Sequence, residues 1–163
     1  MGQAKKPNFE LIAGGDVYQD PGVSPNAQVI RVLVVEDDLD IRPVILNVLR
    51  AIEFPFELTW ERNAEAATKL VSDLAKMISP KNFDLIIVDL FLEGPHNGIE
   101  FLKFISDYYT TTPAFVISAA DEAEVKKQMD CYAVWPHFLP KPLETVEFQK
   151  KIIEQLFGCE KQD

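Results

Sequence analysis

The fold is decided by the stretch Val29-Ile-Arg-Val-Leu-Val-Val-Glu-Asp-Asp38 and by the pattern that follows it. An almost continuously apolar run leads directly into three acidic residues. Such a run is typical of a parallel strand that is covered on both faces of its sheet. Apolar residues then recur with the 3.6-residue period of a helix, at Ile41, Val44, Ile45, Val48, Leu49 and Ile52. The stretch therefore predicts a strand, an acidic loop and a helix.

The same alternation continues along the chain. Further runs of branched or aromatic residues predict strands at Phe56–Trp60, Phe83–Val88, Ala114–Ile117 and, more weakly, Trp135–Leu139. Helical patterns follow at Ala67 to Ile78, from Asn97-Gly98 to Ile105, at Glu122–Met129 and at Glu144–Phe157, where Gly158 is a stop signal. Because proline is awkward in a central strand, Pro140 and Pro142 predict that the fifth strand lies at an edge. Five strand and helix repeats predict an α/β fold with an open, doubly wound sheet.

Composition limits the classes of function. The 163 residues include 16 Lys plus Arg and 26 Asp plus Glu, a net charge of −10, with 47% hydrophobic residues, as in a single soluble domain. This acidic balance argues against direct binding of nucleic acid. The apolar runs are strand-sized and shorter than the roughly 20 residues of a membrane span, so no membrane partner is expected. Cys131 and Cys159 are interpreted as reduced thiols, which favours a cytoplasmic location.

The first 28 residues differ from the rest. They contain four of the seven glycines and three prolines, without a sustained apolar period. Such composition predicts a flexible N-terminal extension over residues 1–28, in which Phe9-Glu-Leu-Ile12 is the one stretch suited to docking on a surface. The folded domain is predicted over residues 29–160.

Polar residues interrupt the apolar pattern at the strand ends. Glu36-Asp-Asp38 follows the first strand, Asp89 ends the third, Ser118 ends the fourth and Lys141 follows the fifth. In open α/β sheets, ligands bind beyond the carboxyl ends of the strands. Clustered carboxylates repel one another unless a cation lies among them, and hard oxygen ligands suit Mg²⁺. Taken singly, the acids could instead cap the first helix, Lys141 could be an exposed loop lysine, and Ser118 could bond to its own loop.

Several short motifs occur in a characteristic order. They are Val32-Leu-Val-Val-Glu-Asp-Asp38 with Ile41-Arg42, Leu85-Ile-Ile-Val-Asp-Leu90 with Gly98 downstream, Val116-Ile-Ser-Ala119, and Lys141-Pro142. Together they resemble the receiver domain of two-component response regulators, over about residues 29 to 157. The resemblance implies a flavodoxin-like fold, a single domain with a five-stranded parallel sheet in the order 2-1-3-4-5.

The resemblance also implies a phosphorylation switch rather than an enzyme. Asp89 would accept a phosphoryl group from a phosphohistidine on a sensor histidine kinase or a histidine phosphotransfer protein, and the output would be binding to a downstream protein, with a homodimer as a further expectation. The implied Mg²⁺ ligands are Asp37 and Asp89 directly, Glu36 through water, and the backbone carbonyl of Phe91. Lys141 would pair with the phosphoryl oxygens, Ser118 would move to hydrogen-bond them, and Phe138 would follow that movement.

Two other functions compete with the switch. An Mg²⁺-dependent phosphatase with an aspartyl nucleophile would require a second aspartate two residues after Asp89, where Phe91 stands. A receiver-like interaction module that takes no phosphoryl group would not need the full set of acids, hydroxyl and lysine. The interval from Asp89 to Gly98 is one residue longer than is usual in the family, which predicts a loop of different shape over the site.

Overall fold

The computed structural model describes residues 10–12, 15–19, 24, 27–77, 82–109, 111–129 and 136–158. The elements in this part of the chain are β1 (Glu10–Ile12), β2 (Gly15–Gln19), β3 (Ile30–Val35), a 3-10 turn (Leu39–Ile41), α1 (Arg42–Arg50), β4 (Phe56–Glu61), α2 (Ala64–Ala75), β5 (Leu85–Asp89), α3 (Gly98–Ile105), β6 (Ala114–Ser118), α4 (Glu122–Met129), β7 (His137–Pro140) and α5 (Thr145–Phe157). Strands β3 to β7 lie within or overlap the five predicted runs. The predicted helix position Ile78, the strand start at Trp135 and both cysteines lie outside the described residues.

The sheet has seven strands in the order β1-β2-β4-β3-β5-β6-β7. Strands β3 to β7 pair in parallel, and counted alone they have the order 2-1-3-4-5. Strand β7 lies at one edge, as Pro140 and Pro142 predicted. The prediction of five strands is wrong, because β1 and β2 extend the sheet beyond β4 in antiparallel pairing.

The expectation of a flexible extension over residues 1–28 is wrong for the strand Gly15–Gln19. This strand forms a ladder with β4 and buries Tyr18, which is 2% exposed. The Tyr18 ring lies 5.5 Å from the ring of Phe56, and Arg50 donates a hydrogen bond to its hydroxyl at 3.0 Å. An aromatic side chain in a half-buried strand gains enough from packing to offset the glycine-rich surroundings that suggested disorder.

Two apolar layers cover the two faces of the sheet. Because side chains alternate along a strand, Val32 and Val34 of β3 enter one layer, whereas Leu33 and Val35 enter the other. Helices α1 and α5 pack against the first layer, and α2, α3 and α4 pack against the second. Strands β5 and β6 are apolar and largely buried up to their last residues, and their polar side chains, Asp89 and Ser118, stand at their carboxyl ends. None of the described helices has the length and apolarity that a bilayer crossing demands.

Candidate functional site

Three acidic residues meet at the carboxyl ends of β3 and β5. These strands are parallel neighbours with Val35 opposite Val88, so Glu36 and Asp89 follow at the same level. One carboxylate oxygen each of Glu36, Asp37 and Asp89 lies within 4.8 Å of the others. Glu36 and Asp89 are buried, whereas Asp37 is half-buried. The sequence prediction that these acids share one site is therefore met by their positions.

Lys141 joins this acid cluster from the end of β7. Its Nζ lies 2.7 Å from Asp89 Oδ2 and 2.8 Å from Glu36 Oε2, and its side chain is only 21% exposed. The alternative of an exposed loop lysine is therefore excluded. The capping alternative holds for Asp38 alone, whose Oδ1 accepts the backbone N–H of Asp40 at 2.8 Å before α1 begins.

Burial and neighbouring charges shift the pKa values of Glu36 and Lys141 in the acid cluster. Burial raises the pKa of Glu36 to about 7; the hydrogen bond from Lys141 opposes this effect and the charge of Asp89 adds to it. For Lys141, burial lowers the pKa, but its hydrogen bonds with Asp89 and Glu36 and their charges outweigh burial, so its pKa lies above its usual value. Lys141 is thus a cation at neutral pH, and its ammonium contacts two of the three clustered carboxyl groups, those of Glu36 and Asp89. An all-oxygen donor set of this kind fits Mg²⁺.

The raised pKa of Glu36 predicts a pH dependence for Mg²⁺ binding. Below pH 7 the Glu36 carboxyl holds a proton that must leave before it can hold a cation or its water shell. We therefore expect Mg²⁺ to bind about tenfold more weakly at pH 6 than at pH 8, as one proton competes across a pKa near 7. Calorimetric titration at the two pH values measures this ratio. In Glu36→Gln, whose side chain has no proton to lose, the Mg²⁺ affinities at the two pH values are expected to be nearly equal. Equal affinities in the wild type would contradict the assignment of Glu36 as the titrating group of the site.

The structure places the other predicted site residues, Ser118, Phe138 and Phe91, in three different environments. Ser118 is buried at the end of β6, and its hydroxyl oxygen accepts the N–H of Ala120 at 3.1 Å, which is the own-loop alternative considered from the sequence. Phe138 is half-buried in β7 and packs against the layer beneath α3 and α4. The side chain of Phe91 is 60% exposed, and its N–H donates to Asp89 Oδ1 at 3.1 Å.

The loop between β5 and α3, which the sequence predicted to be unusual, is held at two points. The N–H of Glu93 donates to Asp37 Oδ2 at 3.2 Å, and the N–H of His96 donates to Glu65 Oε1 of α2 at the same distance. The first bond occupies a carboxylate oxygen of the acid cluster, and the second ties the loop to the helix beside it. The loop therefore contributes to the position of Asp37.

Gly98 allows α3 to begin directly against the site. A Cβ atom there would overlap the backbone oxygen of Asp89 and lie 2.8 Å from Leu90 Cα, neither of which is a flexible side-chain end. We expect Gly98→Ala to lower the free energy of unfolding by about 2–3 kcal/mol.

Denaturant unfolding measures the effect of this substitution. Asn97→Ala is the comparison, because it removes only the capping bond to the Glu100 N–H and should lower stability by about 1 kcal/mol. A loss for Gly98→Ala no larger than that of Asn97→Ala would contradict the steric account.

Sequence reasoning missed a second set of contacts behind Glu36. Trp60 of β4 donates its Nε1–H to the backbone carbonyl of Glu36 at 2.8 Å. The guanidinium of Arg42 lies 4.8 Å from the centroid of the Trp60 ring and pairs with Asp16 of β2 at 2.7 Å. The sequence indicates only that a tryptophan in a buried strand needs a hydrogen-bond acceptor for its indole N–H. It does not identify the Glu36 carbonyl as that acceptor.

Comparison with known proteins agrees with this geometry. The family described as response regulator receiver domain matches residues 32–153, an interval that includes the acid cluster and Lys141. No curated protein matches the chain.

Solved structures share the fold at low identity. The signal receiver domain of an HD domain-containing protein from Pseudomonas fluorescens Pf-5 is 18% identical with a TM-score of 0.65, covering 83% of this chain and 92% of that one. The Vibrio cholerae chemotaxis protein CheY4 is 21% identical with a TM-score of 0.63, covering 79% and 100%. The phosphorylated cyanobacterial phytochrome response regulator RcpA is also 21% identical with a TM-score of 0.63, covering 79% and 94%. The chain belongs to the response regulator receiver domain family.

Proposed function

We propose that this receiver domain is a phosphorylation-dependent switch of a two-component system or phosphorelay, with Asp89 as the phosphoacceptor. The observation that carries the proposal is the environment of the Asp89 carboxylate. Oδ2 contacts the Lys141 ammonium at 2.7 Å, Oδ1 accepts the Phe91 N–H at 3.1 Å, and acidic oxygens of Glu36 and Asp37 lie within 4.8 Å. A nucleophile, a cation and oxygen ligands for a metal are thus combined at one strand end.

The proposed reaction is transfer between phosphohistidine and aspartate. A carboxylate oxygen of Asp89 forms a bond to phosphorus while the bond between phosphorus and the donor imidazole nitrogen breaks. The electron pair of that bond stays on the nitrogen, which takes up a proton from water, and Asp89 becomes an acyl phosphate. Such transfer depends on positioning and charge neutralisation more than on covalent help from the protein. Lys141, whose Nζ lies 2.7 Å from Asp89 Oδ2, would neutralise charge on the oxygens of the transferred group.

The acidic residues fit Mg²⁺ as the cofactor of this step. In the proposal Asp37 and Asp89 bind the ion directly, Glu36 binds it through water, and the Phe91 carbonyl supplies a further oxygen. The bound ion would neutralise charge on the transferred group. The donor would be a sensor histidine kinase or a histidine phosphotransfer protein, and a cytoplasmic location, where such donors present their phosphohistidines, belongs to the same proposal.

The output follows from new charge at Asp89. A phosphoryl group brings acceptor oxygens and negative charge, and the Ser118 hydroxyl would exchange its bond from Ala120 for one to these oxygens. Ser118 lies on β6 beside β7, where Val116 is opposite Phe138. In the proposal, movement of Ser118 would be transmitted to Phe138 through these paired strands. The protein would then act by binding a downstream partner or a second copy of itself, not by turnover of a substrate.

A small phosphodonor tests the proposal. The full chain is incubated with acetyl phosphate, with Mg²⁺ or with EDTA, and its intact mass is measured. We expect one phosphoryl group per chain with Mg²⁺ and none with EDTA. No uptake at saturating Mg²⁺ would favour the interaction module, and steady turnover of an added phosphoester would favour the phosphatase; either result would overturn the proposal.

A further inference from the structure

We propose that the N-terminal strand β2 is a positioning element of the phosphorylation site, and that Asp16 acts through Arg42 and Trp60 on the backbone of Glu36. The inference rests on the proposed function only in using Mg²⁺ binding by the acid cluster as its measurement. It gives a role to residues that the family match, residues 32–153, does not include.

The first contact joins β2 to the start of α1. Asp16 is held opposite Trp60 in the ladder between β2 and β4. Its Oδ2 accepts Arg42 Nη2 at 2.7 Å, in a pair whose side chains are 31% and 14% exposed. A partly buried carboxylate and guanidinium at this distance fix each other's orientation more firmly than an exposed pair does. Asp16 therefore sets where the Arg42 guanidinium lies.

The second contact joins Arg42 to the backbone before the acid cluster. The guanidinium lies over the Trp60 ring, which is 1% exposed, and a cation over a desolvated indole face stabilises the position of that ring. The Trp60 Nε1–H donates to the Glu36 carbonyl at 2.8 Å, and the Glu36 N–H donates to the carbonyl of Glu61 at 2.9 Å. Both polar backbone groups of Glu36 are thus bonded to the last two residues of β4.

The position of Glu36 is important because its side chain has little freedom. Oε2 accepts Lys141 Nζ at 2.8 Å and Oε1 accepts the Asp38 N–H at 3.1 Å. A shift of the Glu36 backbone therefore moves the Glu36 carboxylate and the adjacent Asp37, which the proposal makes a direct ligand, and Mg²⁺ requires nearly ideal octahedral spacing of its ligands. In the sheet, β4 lies between β2 and β3, the strand that leads into Glu36. Strand β2 therefore holds β4 in place from the side that faces away from the site.

The test compares Mg²⁺ affinity by calorimetric titration of the full chain. Asp16→Ala is expected to weaken Mg²⁺ binding about threefold or more. This is within the range found for residues that do not touch a ligand and influence its binding through a chain of contacts. Asp16→Glu, which keeps the charge, should recover part of the loss. Gln19→Ala is the matched control, because Gln19 lies on the same strand but bonds to Glu57 at 2.8 Å, away from Arg42. It should bind Mg²⁺ as the wild type does.

Tryptophan emission supplies a second readout. In a Trp135→Phe background the remaining indole is Trp60, and Asp16→Ala should shift its emission and reduce its response to Mg²⁺, whereas Gln19→Ala should not. Wild-type affinity and emission in Asp16→Ala would overturn this inference alone. Equal losses in Asp16→Ala and Gln19→Ala would also overturn it, because they would indicate a general role of β2 in folding. A wild-type chain that binds no Mg²⁺ would overturn both this inference and the proposed function.

Discussion

Asp89→Asn is expected to abolish uptake of a phosphoryl group while leaving the fold intact. The amide oxygen can still accept the Phe91 N–H that now bonds to Asp89 Oδ1, and Lys141 keeps its bond to Glu36. An amide is not a nucleophile of carboxylate strength, so no acyl phosphate can form. Because the charge of Asp89 contributes to the raised pKa of Glu36, its removal should lower that pKa and relieve repulsion. The variant should therefore be inactive and at least as stable as the wild type.

Intact mass after incubation with acetyl phosphate and Mg²⁺ measures the loss of uptake, and thermal unfolding measures stability. Asp84→Asn is the matched control, since Asp84 directly precedes the same strand and its Oδ2 accepts the Arg31 N–H at 2.8 Å, at the opposite end from the site. The control should take up one phosphoryl group. Equal uptake by Asp89→Asn and the wild type would show that another residue is the acceptor.

Lys141→Met is expected to impair both stability and phosphoryl transfer. It removes the ammonium that contacts two buried carboxylates at 2.7 and 2.8 Å. Leaving such groups without their cation lowers the free energy of unfolding by about 3 kcal/mol. The loss should be smaller at pH 6 than at pH 8, because Glu36 can take up a proton instead, and saturating Mg²⁺ should recover part of it. Transfer should slow by about a hundredfold, as when one donor to a developing charge is removed.

Chemical denaturation at the two pH values and the rate of phosphoryl uptake check the two parts of this prediction. Lys150→Met provides the control, since Lys150 of α5 is exposed and lies 3.9 Å from Glu154. A surface pair of that kind contributes less than about 0.5 kcal/mol. If Lys141→Met behaved like Lys150→Met in both measurements, Lys141 would have no part in the site.

The parallel core of the fold was predictable because its signal is local. Strands β3 and β5 are buried on both faces, so they appear as apolar runs such as Leu85–Val88, and amphipathic patterns between the runs show where the helices lie. Strand β2 has no such signal. The strand Gly15-Asp-Val-Tyr-Gln19 is short, begins with a glycine and lacks a regular apolar alternation, and it is stabilised by pairing with β4, some 40 residues later. The dipeptide Gly14-Gly15, with β-prone residues on either side, was a hairpin signal that composition obscured.

The candidate site also has a part that the sequence could predict and a part that it could not. The convergence of Glu36, Asp89 and Lys141 was predictable, because the carboxyl ends of parallel strands meet at one edge of the sheet. The contacts of Trp60 and Asp16 were not, because they depend on which side chains cross from one element to another. The orientation of the Ser118 hydroxyl is a rotamer, and sequence patterns carry no information on it.

Reductive trapping tests the central claim most directly. The wild-type chain is phosphorylated with acetyl phosphate and Mg²⁺ and then treated with borohydride, which reduces an acyl phosphate to the corresponding alcohol and so converts a phosphorylated aspartate to homoserine. Peptide mapping by mass spectrometry then locates the converted residue. We predict homoserine at position 89 and aspartate at positions 37 and 38. Conversion at another position, or none in a chain saturated with Mg²⁺, would contradict the assignment of Asp89 as the phosphoacceptor.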